Sequence, residues 1–165
     1  MGLRMLCGML FIQGCVFGQY TYFFNRYSVS DGLNTNKVNC VWQDDKGFLW
    51  IGTEVGIQRF DGGKFVTFFG DQNDRMPPHL GVDQILGAEN GKLWLVQGSQ
   101  IGLFDPFTFQ YDGIPIRARD ALPPRNEVRL FKDSRGEVFL CASLYGLLRY
   151  DRAKKIFTET DVSVQ

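Results

Sequence analysis

Short runs of apolar and aromatic residues, each bounded by a small cluster of Asp, Gly, Lys or Glu, recur along this chain. Val38 to Gln43, Phe48 to Thr53, Ile57 to Phe60 and Lys64 to Phe69 are rich in β-branched and aromatic side chains. Asp44-Asp45-Lys46-Gly47, Glu54-Val55-Gly56 and Asp61-Gly62-Gly63 separate them. Runs of this length between turn residues predict four strands joined by three tight turns. Beyond the first residues no window keeps apolar positions at i, i+3, i+4 and i+7 over a helical length, so helices are not expected.

The whole unit then returns. Val38, Gly47, Trp50, Asp61 and Phe65 recur as Val82, Gly91, Trp94, Asp105 and Phe109, each pair 44 positions apart. A third copy follows at Val128, Gly136, Phe139, Gly146, Tyr150-Asp151 and Phe157, with Phe139 where the tryptophan stood. The segments leading in also agree: Asp74-Arg75-Met76-Pro77-Pro78 stands before Val82 as Asp120-Ala121-Leu122-Pro123-Pro124 stands before Val128. Four-stranded units with a period in the forties predict an all-β fold of antiparallel β-propeller blades.

Blade 1 is expected over 37–69, blade 2 over 70–112 and blade 3 over 113–160, with a tail over 161–165. Residues 19–36 are expected to supply an N-terminal closing strand and loop, because Phe24 and Tyr27 are spaced as Phe65 and Phe68 are. Propeller rings carry roughly 4 to 8 blades, so about three blades predict an incomplete ring and a fragment of a larger propeller. Open faces and strand edges then favour association.

Residues 1–18 differ in character. Arg4 precedes the apolar Met5 to Ile12, and small residues follow at Gly14 and Gly18, the order of a secretory signal peptide, with cleavage expected after Gly18. Lipidation at Cys15 is the alternative, although Gln13 is a poor residue for it. Removal of that leader leaves Cys40 and Cys141, expected as buried small hydrophobes without a disulfide or metal-ligand spacing. The chain has 18 basic and 18 acidic residues, which gives no electrostatic argument for nucleic acid or a membrane surface.

Phe24-x-x-Tyr27-Ser28-Val29-x-Asp31-Gly32-Leu33, Asn36-x-Val38, Gln43-Asp44 and Lys46-Gly47-Phe48-Leu49-Trp50-Ile51-Gly52-Thr53, continuing to Gly56-Ile57-x-Arg59-Phe60-Asp61-Gly62, resemble the two-component regulator propeller repeat. Copies two and three resemble it more loosely. The resemblance implies the periplasmic sensor propeller of a hybrid two-component system in a glycan-degrading Gram-negative bacterium. In such a sensor the propellers bind an oligosaccharide or a partner, and a transmembrane segment relays the signal to a cytoplasmic histidine kinase. Its implied partners are an oligosaccharide ligand, the remaining blades of the parent and a second copy of the parent. The kinase and relay parts are not expected within these 165 residues.

Candidate chemistry is sparse. Asp45-x-Gly47-x-x-Trp50 has the spacing of an Asp-box turn, a structural device that ties a hairpin through side-chain to backbone hydrogen bonds. Asp44 and Asp45 could be drawn as an acid and base pair, but Asp and Gly together predict a turn. Trp50 and Trp94 sit mid-strand, where packing between blades is expected rather than sugar stacking. His79 follows two prolines without metal ligands at suitable spacing. No catalytic residues, metal or cofactor are expected. Ligand contacts are expected on the loops between blades and between second and third strands, from Asn36, Lys37, Glu54, Gln100, Arg125 and Tyr145. A fragment of a secreted propeller glycosidase or lyase, and a protein-binding scaffold, are the competing functions.

Overall fold

The computed structural model describes residues 22–68, 76–117, 128–143 and 146–159. Within them the chain forms three antiparallel sheets, each built from consecutive strands. The first contains β1 (Val38–Gln43), β2 (Leu49–Thr53), β3 (Gly56–Phe60) and β4 (Phe65–Phe68). The second contains β5 (Gln84–Gly87), β6 (Leu93–Gln97), β7 (Gln100–Asp105) and β8 (Gln110–Gly113). A two-residue strand, β9 (Ile116–Arg117), precedes the third set: β10 (Val128–Lys132), β11 (Val138–Ala142), β12 (Gly146–Asp151) and β13 (Ile156–Glu159).

Four strands of each sheet form an antiparallel meander in which order in space follows order in sequence, as short turns require. β9 adds a fifth strand to the third sheet, pairing parallel to β13 with Ile116 opposite Phe157. The Phe157 N–H also donates to the Pro115 carbonyl at 3.0 Å. The chain leaving the second sheet thus runs along the outer edge of the third before entering it at β10.

Alternation along the strands places every second residue between sheets. Trp50, Ile57 and Phe68 of the first sheet pack with Val82, Ile85, Leu95 and Phe104. Trp94, Val96 and Ile101 of the second pack with Leu130, Leu140, Leu148 and Phe157 of the third. The tryptophans are core residues: Trp50 is 1% exposed and Trp94 3%. Trp50 meets Phe104 edge-on at 6.2 Å, and Trp94 meets Tyr150 at 4.7 Å, the tilted geometries favoured by aromatic quadrupoles.

The closing strand expected over 19–36 would complete a last blade of the ring, and no such blade lies among the described residues. Residues 22–28 pair with no sheet edge. Instead, the Tyr27 ring covers Phe60 at 4.9 Å and Phe65 at 5.8 Å on the first-sheet face turned away from the second sheet. Leu33 is buried beside Ile51 and Phe60 on that same face. Phe23 and Phe24 of the same segment remain about nine-tenths exposed, at 90% and 91%.

Cysteine placement also differs in part from expectation. Both described cysteines are free; Cys40 is half-buried but Cys141 is exposed. Cys141 lies on the side of β11 opposite to Leu140 and Ala142, both buried, so alternation turns it outward.

Candidate functional site

The antiparallel order puts the turns at two ends of the stack. The β2–β3 turn and the approach to β1 share one end, where ligand-binding loops were expected. There Lys37 Nζ lies 3.0 Å from Glu54 Oε2. The Thr35 hydroxyl donates to Glu54 Oε1 at 3.3 Å, and Asn36 Oδ1 accepts from the Val29 N–H at 3.0 Å. Asn36, Lys37 and Glu54 are therefore assembled, partly by holding their own loop. The Lys37–Glu54 pair is well exposed and contributes at most about 1 kcal/mol. Gln100 opens β7 and lines a separate shallow hollow of about 700 Å³ with Tyr111 and Ile114. Arg125 and Tyr145 lie outside the described residues.

Buried glutamines, which the sequence pattern does not single out, organise this end. Gln58 is 1% exposed; its Oε1 accepts from Asn34 N–H at 2.9 Å, and its Nε2 donates to the Gly32 carbonyl at 3.1 Å and to Thr67 Oγ1 at 2.8 Å. Gln97, equally buried within β6, donates to the carbonyls of Pro78 and Leu80. Each ties an incoming loop to its sheet. The sequence carries no decisive signal for them, because Gln58 stands beside Arg59 in β3 and Gln97 is the last residue of β6.

At the opposite end the turns are held by aspartates. Asp44 Oδ1 accepts from the N–H groups of Lys46 and Phe48, both at 3.0 Å, while Oδ2 accepts from Trp50 Nε1 at 2.9 Å. The tie therefore comes from Asp44, one residue before the Asp-box position expected at Asp45. Asp133 does the same for Arg135 and Glu137 in the third sheet, both at 2.9 Å. The repeating glycine in these turns takes positive φ, 86° at Gly47 and 81° at Gly136, a conformation L side chains disfavour.

A second aspartate recurs after each third strand. Asp61, Asp105 and Asp151 each accept backbone N–H bonds from residues two and three positions on. The Lys64 and Gly63 N–H groups hold the Asp61 carboxyl below the ordinary carboxylate value. Lys154 and Ala153 do so for Asp151, and Glu137 with Arg135 for Asp133. Burial pushes Asp105 upward, but its N–H bonds from Phe107 and Thr108 and the nearby Lys92 outweigh this and lower it. These carboxylates are committed to turns, which leaves none poised as a general acid.

Between these turns a cavity of about 340 Å³ opens between the first and second sheets. Trp42, Phe48, Trp50 and Phe107 supply its aromatic walls. The Arg59 guanidinium lies 4.6 Å from the Phe48 ring centroid, and its Nε is buried without a hydrogen-bond partner. Lys46 Nζ sits 4.0 Å over the Phe107 ring. The third sheet contributes Lys132, whose Nζ donates to the Gly87 carbonyl at 3.2 Å. Of the residues expected to bind ligand, the four that are described, Asn36, Lys37, Glu54 and Gln100, do not line this cavity. No group of three His, Cys, Asp or Glu side chains able to hold a metal ion occurs among the described residues.

Residues 32–55 match the family model described as Two component regulator propeller. That segment is similar to a two component regulator propeller repeat. Its 24 residues run from the Gly32 turn through β1 and β2 into the following turn, so the match includes Asp44, Gly47, Trp50 and Glu54. No curated protein matches the chain.

Among solved structures, the chain is similar to the extracellular domain assigned to the hybrid two component system BT3049 from B. thetaiotaomicron. The TM-score is 0.66 at 21% identity, over 82% of this chain and 20% of that one. It is also similar to the extracellular domain assigned to the hybrid two component system BT4673 from the same organism, with TM-score 0.61 and 20% identity over 81% of this chain and 20% of that one. At this identity the likeness establishes the fold. The chain spans about a fifth of the length of these structures.

Proposed function

We propose that this chain is part of an extracytoplasmic ligand-sensing propeller of a hybrid two-component system that governs carbohydrate use. The observation carrying the proposal is the propeller repeat at 32–55, set within sheets that superimpose on extracellular domains of such systems. In this proposal the segment binds rather than catalyses. The commitment of the repeated aspartates to backbone N–H groups supports that role. The parent is a histidine kinase exposed to the periplasm, and residues 1–18 direct its export. An oligosaccharide is the proposed ligand, held by loops that include Asn36, Lys37, Glu54, Gln100, Arg125 and Tyr145. Other blades of the parent complete the propeller, and a second copy of the parent is its partner in signalling.

The test is to disrupt the gene in its source organism and profile transcripts during growth on a panel of purified glycans. Loss of induction of carbohydrate-use genes on one glycan, restored by the intact gene, is the expected result. Unchanged induction on every glycan overturns the proposal.

A further inference from the structure

We propose that the cavity between the first and second sheets binds a small organic anion: one ring carrying a single carboxylate. Its volume of about 340 Å³ lies at the lower end of the range for small-molecule sites, about 300–1,000 Å³, which suits one ring rather than a chain of them. Trp42 of the first sheet and Phe107 of the second give it aromatic walls, with Lys46 Nζ 4.0 Å over the Phe107 ring. Gly87 makes room for one of them, because a Cβ there would lie 2.7 Å from Trp42 Cζ2.

Charge selects the anion. Lys46, Arg59, Lys92 and Lys132 line the cavity, against the carboxylates of Asp44 and Asp45. Asp105 stands behind Lys92 at 3.6 Å. Four cations against three carboxylates leave one positive charge, which a monocarboxylate neutralises. Asp44 cannot reorient to do so without releasing Phe48 N–H and Trp50 Nε1. Arg59 is stacked on aromatic rings and has no ion-pair partner among the described residues. Its planar fork matches a carboxylate in geometry, while the low-dielectric wall beneath it strengthens the attraction. Aromatic acids and sugar acids share this chemistry.

The test uses the whole chain and its tryptophan fluorescence, because Trp42 and Trp50 both line the cavity. Benzoate and glucuronate are the two probes, with benzamide and glucose as their neutral counterparts. Saturable fluorescence change with at least one carboxylate is expected, weakened by added salt and about tenfold or more weaker for its neutral counterpart. Preference for benzoate identifies an aromatic acid; preference for glucuronate identifies a sugar acid. Arg59→Gln should weaken binding about tenfold and Lys46→Gln several-fold, the latter on an exposed turn where folding is not at risk. Gly87→Ala should also weaken it by displacing Trp42. The absence of saturation with both carboxylates, equal binding of the neutral compounds, or unaltered affinity in Lys46→Gln overturns the proposal.

Discussion

A handful of side chains are expected to make this fold sensitive to pH from both directions. The lowered carboxyls of Asp61, Asp133 and Asp151, held chiefly by backbone N–H groups, favour the folded chain while ionised. Their contribution is present above the ordinary carboxylate range and is lost as pH falls through the lowered values. On the alkaline side burial pushes the Cys40 thiol up to about 11 and the Tyr111 phenol up to about 12. Their neutral forms favour folding below the ordinary thiol and phenol values, and that contribution disappears as pH rises through the raised ones. The melting temperature is therefore expected to plateau between about pH 5 and pH 8 and to fall on each side. Cys40→Ala should flatten the early part of the alkaline decline. A melting temperature unchanged from neutrality into the acid range contradicts the assigned role of the turn aspartates.

Turns and strands are joined here by a few buried amides and by close sheet approach. Gln58 on β3 holds the Gly32–Asn34 loop against the first sheet, within reach of the loop that carries Asn36 and Lys37. Gln58→Leu keeps the volume but leaves Asn34 N–H and the Gly32 carbonyl unpaired. It should lower stability by about 1–3 kcal/mol and speed hydrogen exchange at Asn34 before that of β2. Equal exchange in variant and parent would show that the loop is held some other way. Gln84 plays the corresponding part between sheets, exchanging two hydrogen bonds with Leu130, N–H at 2.8 Å and carbonyl at 2.6 Å. The strands themselves were legible from composition: the run Val38 to Gln43 is β1 to the residue. Gln58 was not, because a polar residue in a strand is equally compatible with a solvent-facing position until its neighbours are known.

The stack as a whole leaves one repeated face uncovered among the described residues. Trp42 opposite Trp50, and Leu86 opposite Trp94, are direct cross-strand pairs on the faces that meet the next sheet. The third sheet carries the same pair as Phe131 opposite Phe139, stacked at 5.5 Å, yet Phe131 is 42% exposed. Exposed Cys141 belongs to this face. Equivalent faces on the first two sheets bury their aromatics against a following sheet, so this one is suited to the same use. The isolated chain is expected to self-associate through it, and Phe131→Glu should shift the sedimentation profile toward monomer while leaving the melting temperature nearly unchanged. A concentration-independent monomer before substitution would count against the face as a contact.

Strand positions, the 44-residue step, the turn glycines and the burial of both repeated tryptophans follow from order along the chain, because pleat, turn geometry and repeat are local or periodic properties. Folding in space decided the rest. It set Asp44 rather than Asp45 on the Trp50 indole, turned Cys141 outward, laid Tyr27 on a sheet face, and brought Lys46, Arg59, Phe107 and Lys132 around one cavity. Those four residues span 86 positions in the chain, from 46 to 132. Their meeting depends on how sheets stack and which side chains the pleat turns inward, and no periodicity along a single strand encodes that distance.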